Sequence, residues 1–445
     1  MDYQQFTQDI VAEAMRAGAD EAEVFLQTGS EFNAEVRMGE IETLTQASSK
    51  GLGIRVFVDK RMGFVSTADF SGEVVSDLVK TAIQLAKVAS RDRFNGLPDV
   101  GPGPLPHLNL CDPAIEELPA DQKIQMAMDA ERAALDFDPR ITNSHGGGFG
   151  SRTGTRILAN SNGILYWNSG TDCAVSCAPI AEEGEERQVA AYWTASRFLS
   201  ELEPPKMVGI EAAKRAVRKL GARRIPTQKA PVVLDWMVAD MLWSAVFSAL
   251  DGDSVHRGMS FLSKSLGKKI ASPLVSLIDD PLMPGGLGSM PFDGEGVLTQ
   301  RKVVIENGVL NLFFYDARTG RKYGRPTSGN ARRGYSSLPS VSPTNLFLEP
   351  GEFTPEQIIQ GVDRGILVTE TMGRGINTLT GDFSLGVSGV WIENGELAYP
   401  VQEVTIAGNM LDMMANIDQI GDDMRFISSV TSPTFKISEM MISGM

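Results

Sequence analysis

An α+β fold is what these 445 residues predict, and three observations carry it. Short blocks with apolar residues at helical spacing alternate with segments of strand-like alternation. Tight-turn residues, Asn-Gly above all, join neighbouring strands as antiparallel hairpins. A Pro- and Gly-rich stretch at 92–119 keeps no periodicity and reads as a linker. The length suits two or three domains better than one core. The division expected is an N-terminal unit at 1–91, the linker at 92–119, a middle unit at 120–224 packed with the first, and a C-terminal domain at 225–445. The first two units combine helices with antiparallel strands, and the last is a mostly antiparallel curved sheet or barrel-like core.

The spacing from Tyr3 to Arg16 predicts an amphipathic helix that stops at Gly18. Glu23-Val24-Phe25-Leu26 opens a strand meander, and Gly53 to Val58 turns through Asp59-Lys60-Arg61 into Gly63 to Ser66. Ser71 then caps a helix reaching about Ala89. Asp121 to Phe137 reads as a helix, followed by strands at Thr155–Ala159 and Gly163–Trp167 and a helix from Glu211 that ends at Gly221. Beyond Pro231 strands dominate, except for a helix at 236–250 and another from Pro355 to Gly361. Two hairpins, 303–310 and 390–397, share the turn Glu-Asn-Gly; a shared turn type explains them as well as a duplication does.

The balance of 41 basic against 56 acidic residues gives a net charge of −15, a field that repels a phosphate backbone and argues against a nucleic-acid partner. No apolar run reaches the ~20 residues that span a bilayer, and the first residues carry no signal-like stretch. A soluble, cytoplasmic protein with no membrane partner is expected. Cys111, Cys173 and Cys177 cannot all pair, which suits a reducing compartment, and Cys173 and Cys177 share a strand face as inert packing.

Several chemical sites are absent or incomplete. His145-Gly146-Gly147-Gly148 resembles an esterase oxyanion segment, but the chain has no Gly-x-Ser-x-Gly nucleophile, and Gly386-Val387-Ser388-Gly389 has the wrong spacing. Asp251, Asp253 and His256 are a conceivable substitute metal site, yet only three His occur in the chain; the two acids are expected to cap a turn. Arginines from Arg318 to Arg333 concentrate positive charge, to bind a peptide carboxylate or acidic surface or to pair within the molecule.

The stretch Met241-Leu242-Trp243-Ser244-Ala245-Val246-Phe247-Ser248-Ala249-Leu250-Asp251-Gly252-Asp253 resembles the active helix of the TldD/PmbA peptidase family, which in catalytic members reads His-Glu-Ala-Val-Gly-His-Gly-Leu-Glu-Gly-Asp. Landmarks similar to the family's follow in order at Phe292–Gly296, Thr299–Arg301, Ile305–Gly308, Gly329–Arg333, Pro343–Asn345 and Gly381–Ser384. The resemblance places the first metal-binding His on Trp243, the Glu on Ser244 and the second His on Ser248. Catalytic members resemble one another in carrying a late Cys ligand, whereas the tail from Ile427 to Pro433 has none. None of these side chains supplies the imidazole, thiolate or general base that a zinc site needs.

That pattern is similar to the PmbA (TldE) branch. It implies a component of a TldD/TldE-type metalloprotease in peptide proteolysis or maturation, with no metal or other cofactor of its own. Its partner would be a TldD-like paralogue or a second copy, and its substrate a peptide. Asn330, Arg332, Arg333, Thr344 and Asn345 are the candidates for a peptide or partner groove. A self-contained hydrolase, or the gyrase-modulating factor after which the family was once named, is the alternative.

Overall fold

In the computed structural model, which describes residues 1–373 and 375–444, the chain before residue 220 is organised by one sheet. Its elements are α1 (Tyr3–Arg16), β1 (Glu21–Arg37), β2 (Glu40–Val58), β3 (Arg61–Thr67), α2 (Gly72–Val88), α3 (Pro113–Glu117), α4 (Ala120–Leu135), β4 (Ile141–Asn160), β5 (Leu165–Glu183), β6 (Glu186–Val189), β7 (Tyr192–Ser196) and α5 (Pro205–Arg218). The strands run β3-β2-β1-β4-β5-β6 with β7 beside β5, all antiparallel. The two expected N-terminal units therefore share a single sheet, because β1 pairs with β4 from Glu23↔Asn160 to Val36↔Gly147. The stretch 92–119 is not wholly irregular: Asp112 caps α3, its side chain accepting from the Ala114 N–H.

Alternation along β1 explains the layers. Val24 and Leu26 lie under α1 and α2, with Val79, Ala82 and Ile83. Phe32, Ala34 and Val36 point to the same side under α4 and α5, with Phe149 and Val175. The helices lie close because glycines leave room: a Cβ on Gly147 would meet the Ala127 carbonyl at 2.2 Å. The opposite face, with Glu23 and Phe25, turns to the C-terminal domain, where Phe25 packs with Leu158, Tyr166 and Phe292.

That domain comprises β8 (Gln228–Leu234), α6 (Trp236–Ala249), α7 (Gly252–His256), β9 (Leu277–Asp279), β10 (Lys302–Glu306), β11 (Val309–Leu310), α8 (Ala317–Tyr323), β12 (Ala331–Arg332), β13 (Ser340–Val341), β14 (Leu346–Leu348), α9 (Pro355–Gln360), β15 (Arg364–Met372), β16 (Asp382–Glu393), β17 (Glu396–Asn409), α10 (Met410–Ala415), β18 (Ile417–Ile420), β19 (Val430–Thr431) and β20 (Phe435–Ser443). β8 lies between β15 and β20, and β17 pairs with both β16 and β20, which closes a five-stranded barrel. A second sheet, β11-β10-β9-β14-β19, lies beside it. Three short helices, α7, α8 and α10, join the two expected here; each starts at a side-chain cap, Asp251, Asp316 or Asn409. The two Asn-Gly turns are tight, with φ of 48° and 83° at Asn307 and Gly308 and 53° and 79° at Asn394 and Gly395.

Buried charges tie the two halves together. Arg55 Nη2 lies 3.1 Å from Glu23 Oε1 and 3.4 Å from Glu295 Oε1, and Arg333 Nη2 lies 2.6 Å from Glu23 Oε1. Burial and the neighbouring carboxylate raise the Asp293 and Glu295 carboxyls above their usual range.

Candidate functional site

Strand β8 delivers the chain to Asp235, whose side chain accepts from the Met237 N–H and starts α6. The inner face of α6 is apolar, and Trp243 is fully buried. Its indole Nε1 donates to Ser432 Oγ at 3.1 Å, and that hydroxyl donates to the Pro433 carbonyl at 2.9 Å. The ring also packs on Phe435, with centroids 5.9 Å apart, and one turn further Phe247 packs on Phe314 at 4.5 Å. The structure thus brings the first ligand position of the helix to the tail in which the resemblance places the third. Ser244 is half-buried and Ser248 exposed, its hydroxyl donating back to the Ser244 carbonyl at 2.9 Å.

Zinc does not fit these residues. An indole N–H is a donor only, and neutral serine hydroxyls are poor ligands for a metal that takes imidazole, thiolate or carboxylate. Among the described residues no group of three or more His, Cys, Asp and Glu could hold a metal ion.

Asp240, one turn before Ser244, faces a small cavity of about 30 Å³ with Trp236, Arg425, Thr431 and Ser432. Burial pushes its carboxyl up to about 6. An aspartate in the unfolded chain titrates near ~3.9, so across roughly pH 4 to 6 the unfolded state sheds its proton first and stability falls as pH rises. Asp240→Asn removes that loss. The variant is expected to melt higher than the parent at pH 7.5 and no higher at pH 4; an equal difference at both would trace the effect to packing instead.

Asp251 caps α7, accepting from the Ser254 N–H. Asp253 binds Lys322 Nζ and the Tyr323 hydroxyl, each at 2.7 Å, and these with Arg257 bring its carboxyl down to about 2. His256 is exposed and stacks on Tyr323 at 3.9 Å. His145 is exposed on β4 beside an irregularity in the β4–β5 register. Cys173 and Cys177 face the core under α4 and α5, and burial pushes both thiols up to about 12, so neither supplies a thiolate.

Four of the five groove candidates lie inside the molecule. Asn330 donates to Asp279 Oδ2 at 2.8 Å, Thr344 donates to Asp279 Oδ1 at 2.8 Å, and Asn345 donates to the Asp280 carbonyl at 2.7 Å. Arg333 belongs to the Glu23 cluster. Arg318 pairs with Asp92, and Arg321 donates to the carbonyls of Phe94, Gly96 and Leu97. Arg332 alone of the five is exposed, in a cleft of about 430 Å³ with Arg156, Arg197 and Tyr335. Sequence reasoning passed over Arg156 and Arg197. The spacing Arg152-x-x-x-Arg156 put two guanidines on one strand face, but nothing local named their cross-strand neighbours.

A barrel that carries a buried helix against its C-terminal tail, behind a sheet of long antiparallel strands, is the scaffold here, with the Trp243 indole bonded to Ser432 between helix and tail. The chain belongs to the PmbA/TldA metallopeptidase family. It matches that family's domain 1 over residues 22–86, its central domain over 113–220 and its C-terminal domain over 227–444. The metalloprotease PmbA of Escherichia coli O157:H7 is 35% identical over 428 residues, covering 96% of this chain and 93% of that protein. A Bacteroides thetaiotaomicron crystal structure, described as that of a candidate modulator of DNA gyrase, superposes with a TM-score of 0.93 at 31% identity over the full length of both chains. TldE from Thermococcus kodakarensis shares the fold, with a TM-score of 0.90 at 24% identity over 99% of this chain and 100% of that one. Among the described residues no helix is long and apolar enough to cross a membrane.

Proposed function

We propose that this chain is the PmbA/TldE-type component of a cytoplasmic two-chain metallopeptidase that trims or degrades peptides, and that it supplies no metal ligand itself. The observation that supports this reading best is the Trp243–Ser432 hydrogen bond, which joins the two elements that would carry ligands and leaves neither with a donor atom for zinc. The catalytic metal and general base then come from a TldD-like paralogue with an intact His-Glu-x-x-x-His helix. A free strand edge is available for the partner or an extended peptide. β3 pairs with β2 only from Leu52 to Val58, so among the described residues nothing pairs with the outer edge of residues 40–51. Main-chain groups on such an edge add a further strand readily.

The test mixes the purified chain with such a paralogue. Alone, this chain is expected to leave unfolded casein intact and to carry far less than one metal per chain after dialysis against a weak chelator. The mixture should form a larger species by sizing and cleave casein in a chelator-sensitive way. Hydrolysis by the pure chain at a rate chelators do not change would replace this reading with a self-contained hydrolase. A stable homodimer that the paralogue does not exchange into would make the partner a second copy.

A further inference from the structure

The sheet face turned to the C-terminal domain carries two parallel rows of side chains with different electrostatics. In the first row Glu31, Arg152 and Asp172 stand in register on β1, β4 and β5; in the second, Gln27, Arg156 and Asn168 do. Between them Gly29, Gly154 and Gly170 are in register; the Arg197 guanidinium lies over Gly170, where a Cβ would meet its Nη1 at 2.9 Å, so the open trough runs over Gly29 and Gly154. Residues directly opposed across strands lie within about 5.5 Å at Cβ and interact. Arg152 is therefore flanked by two carboxylates, while Arg156 is flanked by two neutral amides.

Arg332 and Arg197 enter the same cleft from outside the sheet. Arg197 is held by the carbonyls of Gly286, Leu287 and Thr171, at 2.8, 2.8 and 3.2 Å, so its fork is occupied and it contributes charge alone. Neither the Arg156 nor the Arg332 guanidinium has a hydrogen bond or ion pair among the described residues. Asp172 stands opposite Arg152, and the residue opposite Arg156 is Asn168. Burial first, then Arg332 and Arg197, push the Arg156 guanidinium down to about 10. A carboxylate neighbour would push the other way. In a chain of net charge −15, four arginines line one cleft, and of these Arg152 is the one that stands between Glu31 and Asp172 across the strands.

We propose that Arg156 and Arg332 form a binding site for a peptide carboxylate, the peptide main chain lying over the Gly29–Gly154 trough. The planar forks of two arginines suit a carboxylate in a bidentate geometry. A floor of glycines admits a backbone closely. The cleft volume of about 430 Å³ falls within the usual range for small-ligand sites, roughly 300–1,000 Å³. Glu31 and Asp172 in the other row repel a second carboxylate and so set the direction in which the peptide lies. This site rests on the peptide-handling role proposed above, but its test uses the chain alone and is independent of any reconstituted hydrolysis.

Calorimetry of the full chain with three probes decides it: acetyl-tetraalanine as free acid, the same peptide amidated, and an amidated version with one central Glu. The free acid is expected to bind at least about tenfold more tightly than the amide, the loss of a charge-assisted pair. Binding of the Glu peptide as tightly as the free acid assigns the carboxylate to an acidic side chain, and weak binding assigns it to the chain end; either upholds the site. Arg156→Met should abolish the preference and raise the melting temperature, since it removes a half-buried charge without a partner. A structural arginine would lower it. Arg332→Gln, at an exposed position, repeats the binding test should the first variant fail to fold. Equal affinities for free acid and amide, or a preference that survives both substitutions, would overturn the proposal.

Discussion

Restoring the metal-helix residues, Trp243→His, Ser244→Glu and Ser248→His together, is expected to destabilise the C-terminal domain by about 3–5 kcal/mol and not to create a zinc site. Nearly all of the loss belongs to one position. Trp243 is fully buried against Phe435 and bound to Ser432, so a shorter imidazole leaves a void and takes from the Ser432 oxygen the N–H it accepts. Ser248 is exposed and its replacement alone should shift stability little. Thermal melts of the triple variant and of Trp243→His alone, with and without zinc, read this directly. A zinc-dependent rise matching about 2.7 kcal/mol, the linkage value for metal at a hundred times its dissociation constant, would show a site merely lacking ligands. An unchanged melting temperature would show that the indole fills nothing that matters.

Glu23→Gln should be as costly, about 3–5 kcal/mol, because one carboxylate serves two buried guanidiniums. Glu23 Oε1 lies 3.1 Å from Arg55 and 2.6 Å from Arg333, and all three side chains are buried. Removing it leaves Arg333 without a charge partner inside the seam between the sheet and the C-terminal domain. Adding Arg333→Met to Glu23→Gln should recover more than half of the loss, since deleting both members of a buried pair is far cheaper than deleting one. Urea denaturation of the parent, both singles and the double measures the coupling. Single and double variants that lose the same amount would mean that Arg333 finds compensation elsewhere.

Local chemistry made some of this fold readable and left the rest to distant contacts. Helices α1 and α6 follow apolar spacing and the side-chain caps of Asp2 and Asp235, α2 and α4 follow spacing without a side-chain cap at Ser71 or Pro119, and the tight turns follow Asn-Gly and Asp-Lys. Strands β4 and β5 span 20 and 19 residues, far beyond the five-residue stretches that alternation marked. Their outer parts are rich in Gly, Ser and Asn, residues with little strand preference, and the strands on either side hold them by pairing. The α6 positions could be placed from sequence, whereas the indole's partner Ser432 lies 189 residues away. The same limit hid the groove. Arg333 and Arg332 are adjacent in the chain, yet Arg332, the last residue of β12, faces the cleft while Arg333, just beyond it, is buried beside Glu23.

The pairing of β1 with β4 also bears on how the protein is made. Glu23 meets Asn160 across the sheet, so a ribosome adding about 5–20 residues per second leaves the inner edge of β1 without its neighbour for on the order of ten seconds. Throughout that interval Val24, Leu26, Phe32 and Val36 sit on a hairpin with one unsatisfied side, and the helices α4 and α5 that will cover half of them have not all been synthesised. A fragment ending near residue 91 would hold that state permanently. Such a truncated chain should aggregate or be degraded, and the unit that emerges competent from the ribosome is the whole sheet to residue 220.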